Sequence, residues 1–353
     1  MNHQMENGVL MKKSYSKYAL SAAIYLITVV AVQLLIIRVI GKFLPESFTG
    51  GSVFTFLFGL IIPEYVIGFP VLTLIVRKMD KKTPEKNKLG FMGFAVCFLL
   101  CCGLCGTGTV VGFIVNRVLT LPFGVSANNS NLLANLMLGS APFWRILTIG
   151  ILAPIFEELI FRKFLIDRTV KYGEWVAIIS SALMFGLFHG NFLQFFYATG
   201  MGAVFAYVYI RTGKVWYSIV YHMIFNLSAS IIGVGLAGLI DFDKVAEMSD
   251  MAQKVASNPA DTALQAEYTK ILGEVIPTIL PYYGWMGLCF VMTLIGIVIW
   301  IIVLVKKKIV IKKSEAQVEK GMKFAWGNIG MIIFILATLG LFVYNYLGMI
   351  LNA

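Results

Sequence analysis

A chain of 353 residues is long enough for two soluble domains, but 59% of these residues are hydrophobic and only 13% charged. That leaves too few polar groups to cover a water-facing surface, so lipid is the solvent the composition suits. The 29 Lys+Arg against 18 Asp+Glu give a net charge of +11, which basic loops between apolar spans explain without invoking nucleic acid.

Crossing the hydrocarbon core takes about 20 apolar residues in helical form. Nine stretches qualify: 18–40, 53–76, 90–115, 144–166, 174–193, 195–211, 215–239, 283–305 and 326–351. The expected fold is all-α, a polytopic transmembrane helical bundle. Its first span is not a cleaved signal peptide, because it is too long, lacks a small-residue cleavage site and keeps Arg38 near its far end. The chain divides into a three-span region with an outer loop (1–139), a four-span core (140–240), an acidic loop (241–282) and a two-span region (283–353).

The third span holds Cys97, Cys101, Cys102 and Cys105, and the eighth holds Cys289. Cys102 and Cys105 form a CxxC with no second CxxC and no polar loop around it. Cys97, Cys101 and Cys105 recur every four residues, which sets them on one helix face as small packing residues.

Charge sets the orientation. With the N-terminus in the cytoplasm, 22 of the 29 cations fall on the cytoplasmic side, including six in 77–88 and seven in 306–323. The positive-inside bias therefore places the N-terminus inside and the C-terminus outside. On the outer side, 241–274 carries seven acids against three lysines and reads as short surface helices. The 116–143 connection, with Pro122, Asn128, Asn129, Ser130, Asn131 and Pro142, reads as an outer loop or re-entrant cap.

Ionisable groups inside a span are costly and normally face a cavity or a partner. The fourth span contains Glu157, Glu158 and Arg162, the fifth His189, and the seventh His222 and Asn226. Glu158 and Arg162, four apart, share one helix face and pair. Glu157 is rotated about 100° away and lacks an intrahelical cation, so it is the freer carboxylate and the better general base. Taken alone, the three residues fit a structural ion network equally well. Depth changes the weighing. Glu157 lies 16 residues before Gly173 in the basic turn and His189 lies 16 after it, which gives them equal depth in an antiparallel hairpin. His222 lies about 10 Å from the start of the seventh span at 1.5 Å per residue, with Asn226 one turn deeper. Two acids, two histidines and an amide thus fall in one layer.

Three neighbouring features read as structural. Phe185 and Phe188 are packing residues, and Ala198, Gly202 and Ala206 give small-xxx-small spacing for close helix contact. Glu64, after Pro63, is expected at a kink near the cavity with a structural partner.

A carboxylate and an imidazole around one water activate it for attack on a carbonyl, and His222 and Asn226 suit an oxyanion. His189, His222 and Glu157 would equally make a His₂Glu zinc set with an open position. A proton- or ion-coupled transporter uses similar residues, and a non-catalytic membrane scaffold is a third reading. The ordered set Glu157-Glu158-x-x-x-Arg162, Phe185-x-x-x-His189 and His222-x-x-x-Asn226 resembles that of the CAAX-protease and bacteriocin-processing (Abi) family of intramembrane proteases, over roughly 140–240. This family includes the type II CAAX prenyl endopeptidases. The resemblance implies an intramembrane endopeptidase of a bacterial plasma membrane acting on a membrane-anchored peptide or protein. By it, Glu157 and His189 position the attacking water, His222 and Asn226 stabilise the oxyanion, and Glu158 with Arg162 supports the site. Many relatives carry a metalloprotease label, and a bacteriocin-immunity scaffold is the non-catalytic variant. The sequence has neither HExxH nor GxSxG.

Overall fold

The structure is a computed structural model that describes residues 2–125 and 139–351. It is 84% helical, with no strand among the described residues. Asn128, Asn129, Ser130 and Asn131, named above as part of an outer loop or cap, lie outside the described residues. The principal helices are α1 (Asn2–Arg38), α2 (Phe54–Val76), α3 (Phe91–Thr120), α4 (142–169), α5 (Glu174–Phe188), α6 (Phe192–Thr212), α7 (Val215–Ala237), α8 (Phe242–Ser257), α9 (Thr262–Val305) and α10 (Ile329–Leu351).

Among the described residues, seven helices are long and apolar enough to cross a membrane, which makes this an integral membrane protein. The expected nine spans include α4 and α5, and neither meets that standard. The reason is physical: α4 carries Glu157, Glu158, Arg162 and Lys163, and α5 is a 15-residue helix. Both are inner helices, with Glu158, Ile160, Phe161 and Arg162 of α4 and Ala177, Ala182 and Phe185 of α5 buried by their neighbours.

Two apolar clusters flank them. One joins Met11, Tyr15 and Tyr18 of α1 to Phe161, Phe185 and Phe334. The other joins Leu100 and Cys101 of α3 to Phe205 of α6 and Tyr221 of α7. The five cysteines are free thiols, and Cys101 is packed as expected of its helix face. α3 and α9 approach until their backbones touch, because Gly103 faces Gly296. A Cβ at Gly296 would lie 2.2 Å from the Leu99 carbonyl and 2.4 Å from the Gly103 nitrogen.

The basic connections meet at one end of the bundle. The strap 77–90 bonds there through Lys82 N to Asp167 O (2.6 Å) and Asn87 N to Thr212 O (2.9 Å). Ala316 N and Val318 N reach Lys171 O and Tyr172 O, and Lys82 pairs with Glu315 at 2.6 Å. A hydrogen bond from Lys171 holds the Asp80 carboxyl below the ordinary carboxylate range. Beneath the strap, buried Asp167 accepts from Tyr209 (2.5 Å), Lys163 (2.6 Å) and Thr83 (2.9 Å).

In the acidic segment the expected surface helices form, but the second is the start of the 44-residue α9, which continues without interruption past residue 282. Asp241 and Asp261 cap α8 and α9 at their N-termini, as short acceptor side chains do. Met251, Ile271 and Val275 form a small core between the two helices.

The glycine contact yields a stability prediction. Gly296→Val overpacks the α3–α9 seam at a cost of about 1–3 kcal/mol and lowers the thermal midpoint in detergent. Gly287→Ala, with open space at its Cβ position, leaves the midpoint nearly unchanged. Equal midpoints for the two variants would show that the helices do not meet at Gly296.

Candidate active site

The site is built on an irregular α4. Pro142 starts the helix at a position where its missing N–H costs nothing. Ile146–Leu152 then winds with π geometry, so that Ala153 N bonds to Thr148 O, five residues back. Continuing that register, the next donor should serve Ile149 O from residue 154. That residue is Pro154, which has no N–H. Asn226 of α7 fills the gap: its Nδ2 donates to Ile149 O at 2.8 Å. Gly150 lets α7 come close enough, since a Cβ there would lie 2.3 Å from the Leu227 side chain. The proline before the glutamates thus docks the helix that carries His222.

One turn on, Glu158 and Arg162 pair as their spacing requires, Nε to Oε2 at 3.1 Å, with both side chains at 0% exposure. The contact is a charge contact rather than an aligned hydrogen bond, since neither atom makes one. Glu158 Oε1 accepts from His222 Nδ1 at 3.0 Å. The guanidinium lies 4.3 Å from the Phe185 ring centre and 5.3 Å from that of Phe205, and Nη2 donates to Gly202 O at 3.4 Å. Aromatic faces and a backbone carbonyl replace the water that this cation has lost. Gly202 is required for that approach, because its Cβ would sit 3.1 Å from Nη2.

Glu157 points elsewhere. Its Oε2 is 3.8 Å from His222 Nε2, too long for a direct hydrogen bond, and is buried without a hydrogen-bond partner. His189 ends α5 with Nδ1 2.8 Å from Phe185 O. A carbonyl only accepts, so Nδ1 carries the proton and Nε2 presents its lone pair. The Phe185 ring stands edge-on to both imidazoles, with centroids at 4.8 Å from His189 and 5.6 Å from His222.

The structure therefore gathers Glu157, Glu158, Arg162 and His222 directly and sets His189 beside them across Phe185. Glu157 is paired with His222 rather than with His189. Among the described residues no three His, Cys, Asp or Glu side chains are grouped to hold a metal ion, so the set His189, His222 and Glu157 does not fit zinc as arranged. Phe185 is more than packing, since it spaces two histidines and faces the arginine. Phe205, which also lies against His222 at 5.7 Å, carries no signal in the sequence. For the Asn226–Ile149 bond the signal was Pro154, which frees a carbonyl that some donor must satisfy.

The ion group sets a test of its own. Arg162→Leu leaves Glu158 buried without its cation and costs about 3–5 kcal/mol, read as a lowered thermal midpoint of the purified protein. Adding Glu158→Leu to Arg162→Leu recovers part of that loss. A double variant no more stable than the single one would argue against a coupled buried pair.

Residues 139–228 match the family described as type II CAAX prenyl endopeptidase Rce1-like. YdiL of Bacillus subtilis (strain 168), provisionally named a membrane peptidase, is 29% identical over 167 residues. Those residues cover 46% of this chain and 66% of the relative, so the chain spans just under two thirds of YdiL. MroQ of Staphylococcus aureus (strain USA300), named a membrane-embedded CAAX protease, is 26% identical over 220 residues, covering 54% of this chain and 83% of the relative. No solved structure matches the chain. The matched stretch contains Glu157, Glu158, Arg162, His189, His222 and Asn226, so that all three motifs lie where the chain is similar to the Rce1-like type II CAAX prenyl endopeptidases.

Proposed function

We propose that this chain is an intramembrane endopeptidase that hydrolyses a peptide bond of a membrane-anchored protein or peptide. The observation that carries the reading is the division of labour between adjacent glutamates. Glu158 is committed to Arg162 and His222, whereas Glu157 keeps a buried oxygen with no hydrogen-bond partner next to an imidazole. A carboxylate oxygen left without a hydrogen bond at that depth is unexplained as structure and well suited to a base.

In this reading a water lies between Glu157 and the free Nε2 of His189. The lack of direct pairing between the two side chains leaves that place for it. Glu157 takes a proton from the water as its oxygen adds to the peptide carbonyl. The developing oxyanion is met by the second N–H of Asn226, whose first is held by Ile149 O, and by Nε2–H of His222 with both ring nitrogens protonated, Nδ1–H remaining on Glu158. The C–N bond then breaks and the proton passes from Glu157 to the leaving amine. Glu158 and Arg162 keep His222 in place and touch no reacting atom. No step is routed through a metal.

The family and the two bacterial relatives, one named a CAAX protease and the other provisionally a membrane peptidase, support the same class of reaction. An apolar pocket of about 370 Å³, lined by Leu187, Phe192, Phe195 and Phe342 among others, lies beside the end of α5 that carries His189 and suits a lipid-like anchor. We place the protein in a bacterial plasma membrane with the basic end of the bundle in the cytoplasm, on the strength of its charge distribution.

The test uses purified full-length protein in vesicles with a lipid-anchored fluorogenic peptide. Glu157→Gln is expected to lower cleavage by about 10²–10⁴-fold, and His189→Ala likewise, the range of a lost general base or water-orienting group. Both should retain helicity and the wild-type thermal midpoint to within a few degrees. Undiminished cleavage by Glu157→Gln would falsify the assignment.

A further inference from the structure

His189 stands at the end of a helix too short to cross the membrane. α5 has 15 residues, a rise of about 22 Å at 1.5 Å per residue against a hydrocarbon core of about 30 Å. The turn from α5 to α6 therefore bends the backbone at a depth where lipid offers no donor, and its carbonyls must find donors in the protein. Gly186 O and Leu187 O accept from the amides of His189 and Gly190, both at 3.2 Å. Asn191 serves the next carbonyl: its Nδ2 donates to His189 O at 2.9 Å, while its Oδ1 caps α6 by accepting from Gln194 N at 2.9 Å.

Gly190 O takes its donor from another helix. Asn345 of α10, 155 residues away, donates to it from Nδ2 at 3.0 Å. α10 lies outside the stretch that matches the family and outside the three motifs. The contact is close because residue 190 is glycine. Its φ is +64°, and a Cβ there would lie 2.8 Å from Leu341 Cβ and 3.3 Å from Asn345 Nδ2. A side chain at 190 is thus excluded by the backbone angle and again by the approach of α10. Leu341 and Asn345, four apart, present one helix face to the turn. Beside them Phe342 packs on Phe192 of α6 with ring centres at 4.8 Å. At its other end α10 is anchored to α1: Met331 and Phe334 are buried in the shared cluster, and Gly330 N donates to Ser16 Oγ at 3.1 Å.

The His189 ring is bonded through Nδ1 to Phe185 O of its own helix, so the place of Nε2 follows the end of α5 and the turn beyond it. We propose that Asn345 is a positioning residue for His189: through Gly190 O it fixes the α5–α6 turn, and with the turn the imidazole that faces the reacting water. α10 then belongs to the working site although it carries none of the motifs. A displacement of about 1 Å in such a group is enough to cost about 10²-fold in rate. The inference rests on the reading of His189 as a water-orienting group, but the clamp itself, an amide of α10 on the turn, is open to test without any substrate.

The experiment compares wild type, Asn345→Leu, Asn345→Gln and Tyr344→Leu as full-length proteins in lipid nanodiscs. Hydrogen–deuterium exchange is followed in peptides spanning 186–195. Asn345→Leu, which removes the donor, should speed exchange of the turn by about threefold or more and leave 174–184 unchanged. Asn345→Gln, which keeps the amide, should restore most of the protection. Tyr344→Leu, on the adjacent exposed side of α10 (71% exposed), should exchange as wild type does. Wild-type protection of the turn in Asn345→Leu overturns the proposal. Cleavage of the lipid-anchored peptide provides the second arm. Asn345→Leu should lose about tenfold or more in kcat with KM unchanged, and Asn345→Gln should return to within about threefold of wild type. A turn that loosens with no loss of kcat overturns the positioning role, as does a loss that Tyr344→Leu shares or that Asn345→Gln fails to recover. Should Asn345→Leu fail to fold, Gly190→Ala tests the same contact from the turn. It should loosen the same peptides and lower kcat, and wild-type values for both overturn the proposal. If Glu157→Gln cleaves as wild type does while the exchange pattern holds, the peptidase reading fails and the clamp stands.

Discussion

The ion group Glu158–Arg162–His222 is the constraint to which the central helices answer. Each of its charges is held away from water, and removing an ion from water costs several kcal/mol even after relaxation. That cost is offset only where every face of the cation meets something polar or polarisable. The two hydrophobic clusters supply this, one contributing Phe185 and the other Phe205, with the arginine between them. Small residues on α6 are needed for the same reason, since a side chain at 202 would displace both Phe185 and the guanidinium. The ion group therefore fixes how α4, α5, α6 and α7 pack.

A second constraint comes from two prolines. Within a hydrocarbon layer a freed carbonyl has no water to satisfy it, so breaking a helix creates a demand for a donor from another helix. Pro154 is answered by Asn226 from α7, and in the other irregular helix, which holds Pro63, Gln33 of α1 donates to Gly59 O. Each proline lies within one turn before a glutamate, Pro63 before Glu64 and Pro154 before Glu157. The irregular helices and their repairs thus set where the carboxylates project. The same amide that suits an oxyanion also secures the helix that carries the imidazole, so substituting Asn226 mixes a structural effect with a chemical one.

Much of the site was legible in the sequence because it is local. The Glu158–Arg162 pair follows from helix periodicity alone, and the shared depth of Glu157, His189 and His222 follows from counting residues to the basic turn. Depth does not give rotation, however. Equal distances from Gly173 put Glu157 and His189 in one layer by count, yet the imidazole 3.8 Å from Glu157 is that of His222, and Phe185 stands between the two histidines. Among the described residues no three ligand-type side chains are grouped to hold a metal ion. Glu64 was seen only as a polar residue beside a kink. The stack of its neighbour Tyr65 on Phe156 joins helices far apart in sequence, which no periodicity reports. The basic loops were grouped on one side from charge, and they do meet at one end of the bundle through backbone hydrogen bonds.

The departure from nine spans carries its own argument. α4 and α5, the helices that bear Glu157, Glu158, Arg162 and His189, do not reach the combination of length and apolar composition that a bilayer crossing takes. Their charges are tolerated because seven more apolar helices are available to surround them, and their polar side chains turn toward each other rather than toward lipid. Such an arrangement separates two requirements that conflict in a single span: contact with lipid, which demands apolar residues, and the storage of water-activating groups, which demands polar ones. In the proposed reaction a peptide bond approaching from the bilayer would meet an apolar exterior first and a polar centre only after passing between helices. For the hydrolysis proposed this order matters, because the water must be held where the peptide is and kept from the lipid that carries it. The inner position of the two helices that carry these polar groups therefore serves the proposed chemistry as much as the fold.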